Sequence, residues 1–117
     1  NHGATWLQMK TDGFIEVRAR AVSVVLSLAG VTLFVLAGLW VAFGLDGFVI
    51  TSTVDTIATS NPLKKEVAIE AGAWMSNYSK YPLMMAAPVL GIIAGLACAL
   101  FSKKGNAGMA FVSSALF

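Results

Sequence analysis

The sequence predicts an all-α membrane protein with two complete transmembrane helices. Three observations carry that expectation. Ala21 to Gly44 runs for 24 residues without Asp, Glu, Lys, Arg, His or Pro. At roughly 1.5 Å of rise per residue a helix of that length reaches about 36 Å, enough to cross a hydrocarbon core of about 30 Å with some tilt. Leu83 to Phe101 is a second apolar run, of 19 residues, or about 28 Å as a helix. The chain as a whole is 57% apolar and 12% charged, where soluble domains lie nearer 45–50% and about 25%.

The elements follow in order. Asn1 to Arg20 mixes Trp6, Leu7, Phe14 and Ile15 with Lys10, Asp12, Glu16, Arg18 and Arg20. Thr11-Asp12-Gly13 is a break signal, so one helix ends there and a charged lead-in to the next begins. Trp6 suits a membrane interface, where its ring is apolar and its N–H wet. Ala21–Gly44 is the first span, with Trp40 and Phe43 placed as an aromatic belt near its far end. Asp46-Gly47 reads as the turn that closes that helix. Ser23, Ser27 and Thr32 are its only hydroxyls and are expected to bond back to their own helix.

Leu45 to Pro82 is a polar connection of 38 residues, too long for an unstructured loop in a compact protein. Its second half predicts an amphipathic helix over about 62–78. Ser60 or Asn61 caps it and Pro62 suits its first turn. Leu63, Val67, Ala71, Trp74 and Tyr78 make one apolar stripe, with Lys64, Lys65, Glu66 and Glu70 largely elsewhere. The polar face is not rich in Lys or Arg, so the helix reads as a cap on the same protein rather than one lying in the membrane surface. Leu83–Phe101 follows as the second span, with Pro88 tolerated in its early turns. Ser102 to Gly108 is a short basic turn, and a truncated third span starts at Met109. That run of nine residues stops without a polar flank, and the chain opens on Asn1. Residues 1–117 therefore read as a single fragment of a polytopic transmembrane subunit.

Orientation follows from cations in short flanks. Lys10, Arg18 and Arg20 precede the first span, and Lys103 and Lys104 follow the second. Two spans return both flanks to one side, which makes 1–20 and 102–108 cytoplasmic and 45–82 an outer-side (periplasmic) connection.

Little in the sequence points to chemistry. Ala87, Gly91, Gly95 and Ala99 form a small-residue ridge, read as ordinary packing within one bundle or as a subunit interface. Cys98 is the single cysteine and reads as a small packing residue. His2 is the only histidine and reads as a solvated or interface residue rather than a ligand. Met84 and Met85 read as flexible apolar filler rather than axial sulfur donors. Neither span holds an acid or a base, which argues against a side-chain proton relay. No phosphate-binding glycine loop, nucleophile–base pair or metal-ligand spacing is present. A net charge of +2 without a basic tract gives no reason to expect nucleic acid. Catalytic, cofactor-binding and metal residues are all predicted as none.

The strings GATWLQMK, RAR, LAGLWVAFGLDGFVI, ATSNPLKKEV and EAGAW occur in that order between Gly3 and Trp74. Together they resemble subunit II of the bacterial cytochrome bd quinol oxidases, with a likeness that extends to about Gly91 and is thinner over the second span and beyond. The resemblance implies a piece of the second half of that subunit, in the bacterial inner (plasma) membrane with several passes. It implies a complex that takes electrons from ubiquinol or menaquinol and reduces oxygen to water. The haems, of b and d type, and the quinol-oxidising loop would belong to subunit I. Subunit II would be a non-haem partner in the heterodimer, in contact with membrane lipid, and would support the assembly and stability of subunit I. No catalytic residue of the family carries over onto this chain. The rival reading is a piece of a secondary transporter. Such proteins break their helices at mid-membrane around a substrate, and neither span has such a break.

Overall fold

The computed structural model describes residues 1–117 other than Val54, Thr56, Pro62 and Lys64. The expected roles of Pro62 in a first helical turn and of Lys64 on a polar face lie outside the described residues. The chain divides into two compact units, Asn1–Leu36 with Leu83–Phe117, and Ala37–Pro82.

The first unit is helical. α1 (His2–Lys10) closes where the Thr11 N–H and hydroxyl both donate to the Leu7 carbonyl, at 3.0 and 2.7 Å. Asp12 and Gly13 then turn the chain, as the break signal predicts, with Gly13 at φ +64°. α2 (Gly13–Phe43) is 31 residues long, with its last turns in the second unit. It begins eight residues before the apolar run predicted at 21–44. The charged lead-in stays helical because Glu16 and Arg20 are four residues apart and form an ion pair along the helix. A short 3₁₀ turn at Pro82–Met85 leads into α4 (Ala86–Lys103). This element outlasts the predicted span at 83–101 by two residues. Pro88 sits in the first turn of α4, where no intrahelical N–H bond is lost. The basic turn is tighter than expected. Gly105 takes the left-handed conformation at φ +77°, and the Asn106 side chain accepts from the Met109 N–H at 3.1 Å. α5 (Ala107–Leu116) therefore begins two residues before the third span predicted from Met109.

The two helices Gly13–Phe43 and Pro82–Lys103 are long and apolar enough to cross a membrane. The partition of side chains within the unit fits that medium. Its buried apolar residues are Ala19, Val31, Ala94, Cys98, Ala99 and Ala110, nearly all small. Apart from Gly95, its other buried residues are polar: Thr5, Gln8, Ser23, Ser27, Ser102, Ser113 and Ser114. Leu33, Phe34, Leu36, Leu90, Ile93 and Leu100 point outward. Water would drive the opposite arrangement. In lipid, apolar surface gains nothing by leaving the acyl chains, so helices meet through small and polar residues.

The second unit corrects two sequence expectations. Asp46-Gly47 does not close the first span. That helix ends at Phe43, the Gly44 N–H closes it by donating to the Trp40 carbonyl at 2.7 Å, and Asp46–Ile50 is β1. The amphipathic helix over 62–78 does not form either. Val67–Ala71 is β2, antiparallel to β1, with Phe48 opposite Ile69 and Ile50 opposite Val67. Gly72 at φ +74° then breaks the chain, a 3₁₀ turn covers Ala73–Met75, and α3 is only Ser76–Lys80. The physical reason is cross-strand pairing. Phe48, Val49 and Ile50 offer aromatic and β-branched partners to Val67 and Ile69, and this outweighs a local helical stripe. The Asn61 carboxamide does accept from the Leu63 N–H at 3.0 Å, but as a local Asx turn.

Trp74 holds the hairpin. Its indole N–H donates to the Asp46 carbonyl at 3.1 Å, and its ring meets Phe48 edge-on with centroids 6.4 Å apart. Gly47 lies beneath this contact. A Cβ at Gly47 would stand 2.6 Å from Ala73 Cβ and 2.9 Å from the Trp74 backbone nitrogen, which cannot move aside. Gly47→Ala is expected to destabilise the hairpin by about 1–3 kcal/mol, the usual range for over-packing. Limited proteolysis of the full-length subunit should cleave faster between β1 and β2, and an unchanged rate would contradict this packing.

Candidate functional site: a polar seam between the helices

The buried polar residues of the first unit are not scattered. On α1 and its cap, Asn1, Thr5 and Gln8 fall at helical spacing along one stripe. Arg20, Ser23 and Ser27 do the same on α2. The two helices run in opposite directions, and the α1 stripe meets the α2 stripe at Asn1, while Thr5 turns to α5. The Asn1 carboxamide donates to Ser27 Oγ at 2.8 Å and accepts from Ser23 Oγ at 3.3 Å. Ser23 Oγ also lies 2.9 Å from Ser102 Oγ on α4, and both serines are fully buried. Cys98, likewise fully buried, completes the cluster 3.5 Å from Asn1 Nδ2 and 3.8 Å from Ser23 Oγ.

A second cluster ties α1 to α5. Ser114 Oγ donates to the Phe111 carbonyl at 2.7 Å, and lies 2.8 Å from both Thr5 Oγ1 and His2 Nδ1. The His2 ring stacks on Phe111 with centroids 4.4 Å apart, and Trp6 packs on the same ring at 5.5 Å. Lys10 Nζ caps the outer side of Trp6, 5.2 Å from its centroid.

These contacts revise the sequence reading of Ser23 and Ser27. They do not bond back to their own helix but across to Asn1 and Ser102. A buried hydroxyl has an intrahelical carbonyl available, yet a neighbouring helix at close range offers a stronger partner. Thr32 is exposed. Asn1, Thr5, Gln8, Ser102 and Ser114 were not singled out from the sequence. The signal that finds Asn1, Thr5 and Gln8 is the polar stripe on α1, hidden by the mixed composition of that segment, whereas no local pattern marks Ser102 on α4 or Ser114 on α5.

Close approach of the helices rests on glycine. A Cβ at Gly95 on α4 would stand 2.5 Å from Val31 Cγ2 on α2 and 3.0 Å from the Phe117 ring. Gly30 faces the same ring, 3.0 Å from a Cβ added there. Of the predicted ridge, Gly95 lies in this contact and Ala99 is buried, whereas Ala87 is exposed and Gly91 has open space around it. At the other end of the unit, Arg20 Nη2 lies 3.1 Å from the position of a Cβ at Gly105. The two basic flanks, the start of α2 and the α4–α5 turn, thus meet.

The chemistry available in the seam is hydrogen bonding. Among the described residues no group of three or more His, Cys, Asp or Glu could hold a metal ion. Met84 and Met85 are exposed.

Comparison with known proteins agrees with the helical and membrane character. The chain is 48% identical over 115 residues to a probable cytochrome oxidase subunit 2 of Haemophilus influenzae, covering 98% of this chain and 30% of the relative. It is 46% identical over 114 residues to the cytochrome bd-I ubiquinol oxidase subunit 2 of Escherichia coli, again 30% of the relative's length. The chain thus spans about a third of the curated relatives that it matches. The family model for cytochrome bd terminal oxidase subunit II matches residues 1–117, and the chain belongs to that family.

Proposed function

We propose that this chain is part of a non-haem membrane subunit that holds a haem-bearing partner, subunit I, in an active quinol oxidase. The complex would oxidise ubiquinol or menaquinol and reduce oxygen to water, with haems b and d on the partner, in the inner (plasma) membrane. The observation that carries the local role is the seam itself. Asn1, Ser23, Ser27, Cys98 and Ser102 bond to one another across α1, α2 and α4, which spends the interior of the bundle on helix packing. Such bonds contribute about 0.6 kcal/mol each in membranes, at most about 1.7, so several together fix the relative positions of helices without supplying a reaction. The names of these relatives, a probable cytochrome oxidase subunit 2 and a cytochrome bd-I ubiquinol oxidase subunit 2, support the oxidase reading. In the same reading 1–20 and 102–108 face the cytoplasm and 45–82 the outside. The meeting of Arg20 with Gly105 supports a common side for the two basic flanks.

The test is isolation of the tagged full-length subunit from its native membrane in mild detergent. A haem-bearing partner should come with it, with b- and d-type bands in the reduced-minus-oxidised spectrum. A subunit that purifies alone, with no haem absorbance in any associated chain, would overturn the reading.

A further inference from the structure

Two buried polar groups lie along the seam without a partner among the described residues. The carboxamide of Gln8 makes no hydrogen bond at either Nε2 or Oε1, although the residue is only 2% exposed. The Arg20 Nε–H is likewise buried and unpartnered. The helix register brings them to one level. Asn1 bonds to Ser23 and Ser27. Two turns further along α1, and two turns back along the oppositely directed α2, the register puts Gln8 at the level of Glu16 and Arg20. Leu7, beside Gln8, shares a groove with Arg18 and Ala19 of α2, which agrees with that register.

We propose that Gln8 and Arg20 enclose a water site, a bound solvent molecule that completes the seam between α1 and the start of α2. The unmet groups define the occupant. Arg20 Nε and Gln8 Nε2 need an acceptor, and Gln8 Oε1 needs a donor. One species must do both. An anion lacks the donor and meets the neighbouring Glu16 carboxylate, whose charge already pairs with Arg20. A metal cation is repelled by the guanidinium and gives no acceptor. The side chain is covered by this chain's own helices, so another polypeptide cannot reach the amide. Water is small enough, and it is the usual occupant of a buried site with two or more polar walls. A buried amide left bare would be strongly unfavourable in a bundle with little other polar relief.

The experiment uses the full-length subunit in the assembly in which it is isolated. A density map at about 2 Å should show an ordered water within hydrogen-bond reach of both the Gln8 carboxamide and Arg20 Nε. An amide turned to a protein partner, or a dry contact between the two side chains, overturns the site. Gln8→Leu gives an independent reading. It keeps an apolar stem of similar size but removes the water's partner and strands Arg20 Nε. The midpoint of thermal inactivation should fall by about 2–4 °C. A midpoint equal to or above that of the parent would mean that the amide was a bare liability, and would overturn the proposal.

Discussion

Gly95→Leu is expected to lower the ratio of assembled to unassembled subunit more than tenfold. The Cβ alone would stand 2.5 Å from Val31 Cγ2 and 3.0 Å from the Phe117 ring. Val31 has little freedom to yield, because a β-branched side chain in a helix is held in one rotamer. Leucine adds three more carbons on the same line. The result is separation of α2 from α4, which would also pull Ser23 away from Ser102, now 2.9 Å apart. Over-packing ranges over about 1–3 kcal/mol, and this site belongs at the upper end because a helix face cannot repack locally. Each 1.4 kcal/mol or so is about tenfold in an equilibrium. Quantitative immunoblotting of the solubilised subunit, resolved by size, reads the ratio. Gly91→Leu is the control, since a Cβ at Gly91 meets open space. Equal loss in both variants would remove the special status of Gly95.

The second large effect is at Ser23. Ser23→Ala removes a hydroxyl that meets Asn1, Ser102 and, more weakly, Cys98. The buried Ser102 hydroxyl and the half-buried Asn1 carboxamide oxygen then each lose a partner, at roughly 1–3 kcal/mol. The lower half of that range is expected, because Asn1 keeps its bond to Ser27. The double variant Ser23→Ala with Ser102→Ala should cost less than the sum of the singles. The shared bond is counted twice in the sum, and the shortfall should be about 0.6–1.7 kcal/mol. Chemical or thermal unfolding of the solubilised complex measures the cycle. Strict additivity would mean that the pair carries no energy, whatever its distance.

Much of the helical layout was legible in the sequence. Long runs free of charge and proline fix the spans, because in lipid a helix must satisfy its own backbone and any charge on it is conspicuous. Thr11-Asp12-Gly13 and Lys104-Gly105-Asn106 mark the turns through residues whose backbone preferences are local. Helix ends were less legible. Glu16 and Arg20 keep α2 going through a segment that composition alone assigns to the flank. The hairpin was not legible because five-residue strands are too short to separate two-residue from helical periodicity. The partner of β2 lies about twenty residues upstream, at Asp46–Ile50, and nothing local reports it. The seam was half legible. Ser23 and Ser27 stand out in an apolar span, but Asn1, Thr5 and Gln8 are ordinary residues of a mixed segment. Only the docking of α1 against both α2 and α5 gives them a common role. The resemblance of the strings between Gly3 and Trp74 carried the family, through residues that no periodicity or charge argument would have found.

Under the proposed function these helices pack and hold rather than react, and turnover per haem in the purified complex separates the two roles, measured as oxygen consumption with excess quinol divided by the haem absorbance. In Ser23→Ala the yield of complex should fall while turnover per haem stays at the parent value. A normal yield with turnover per haem lost would contradict the account and place this seam in the reaction itself.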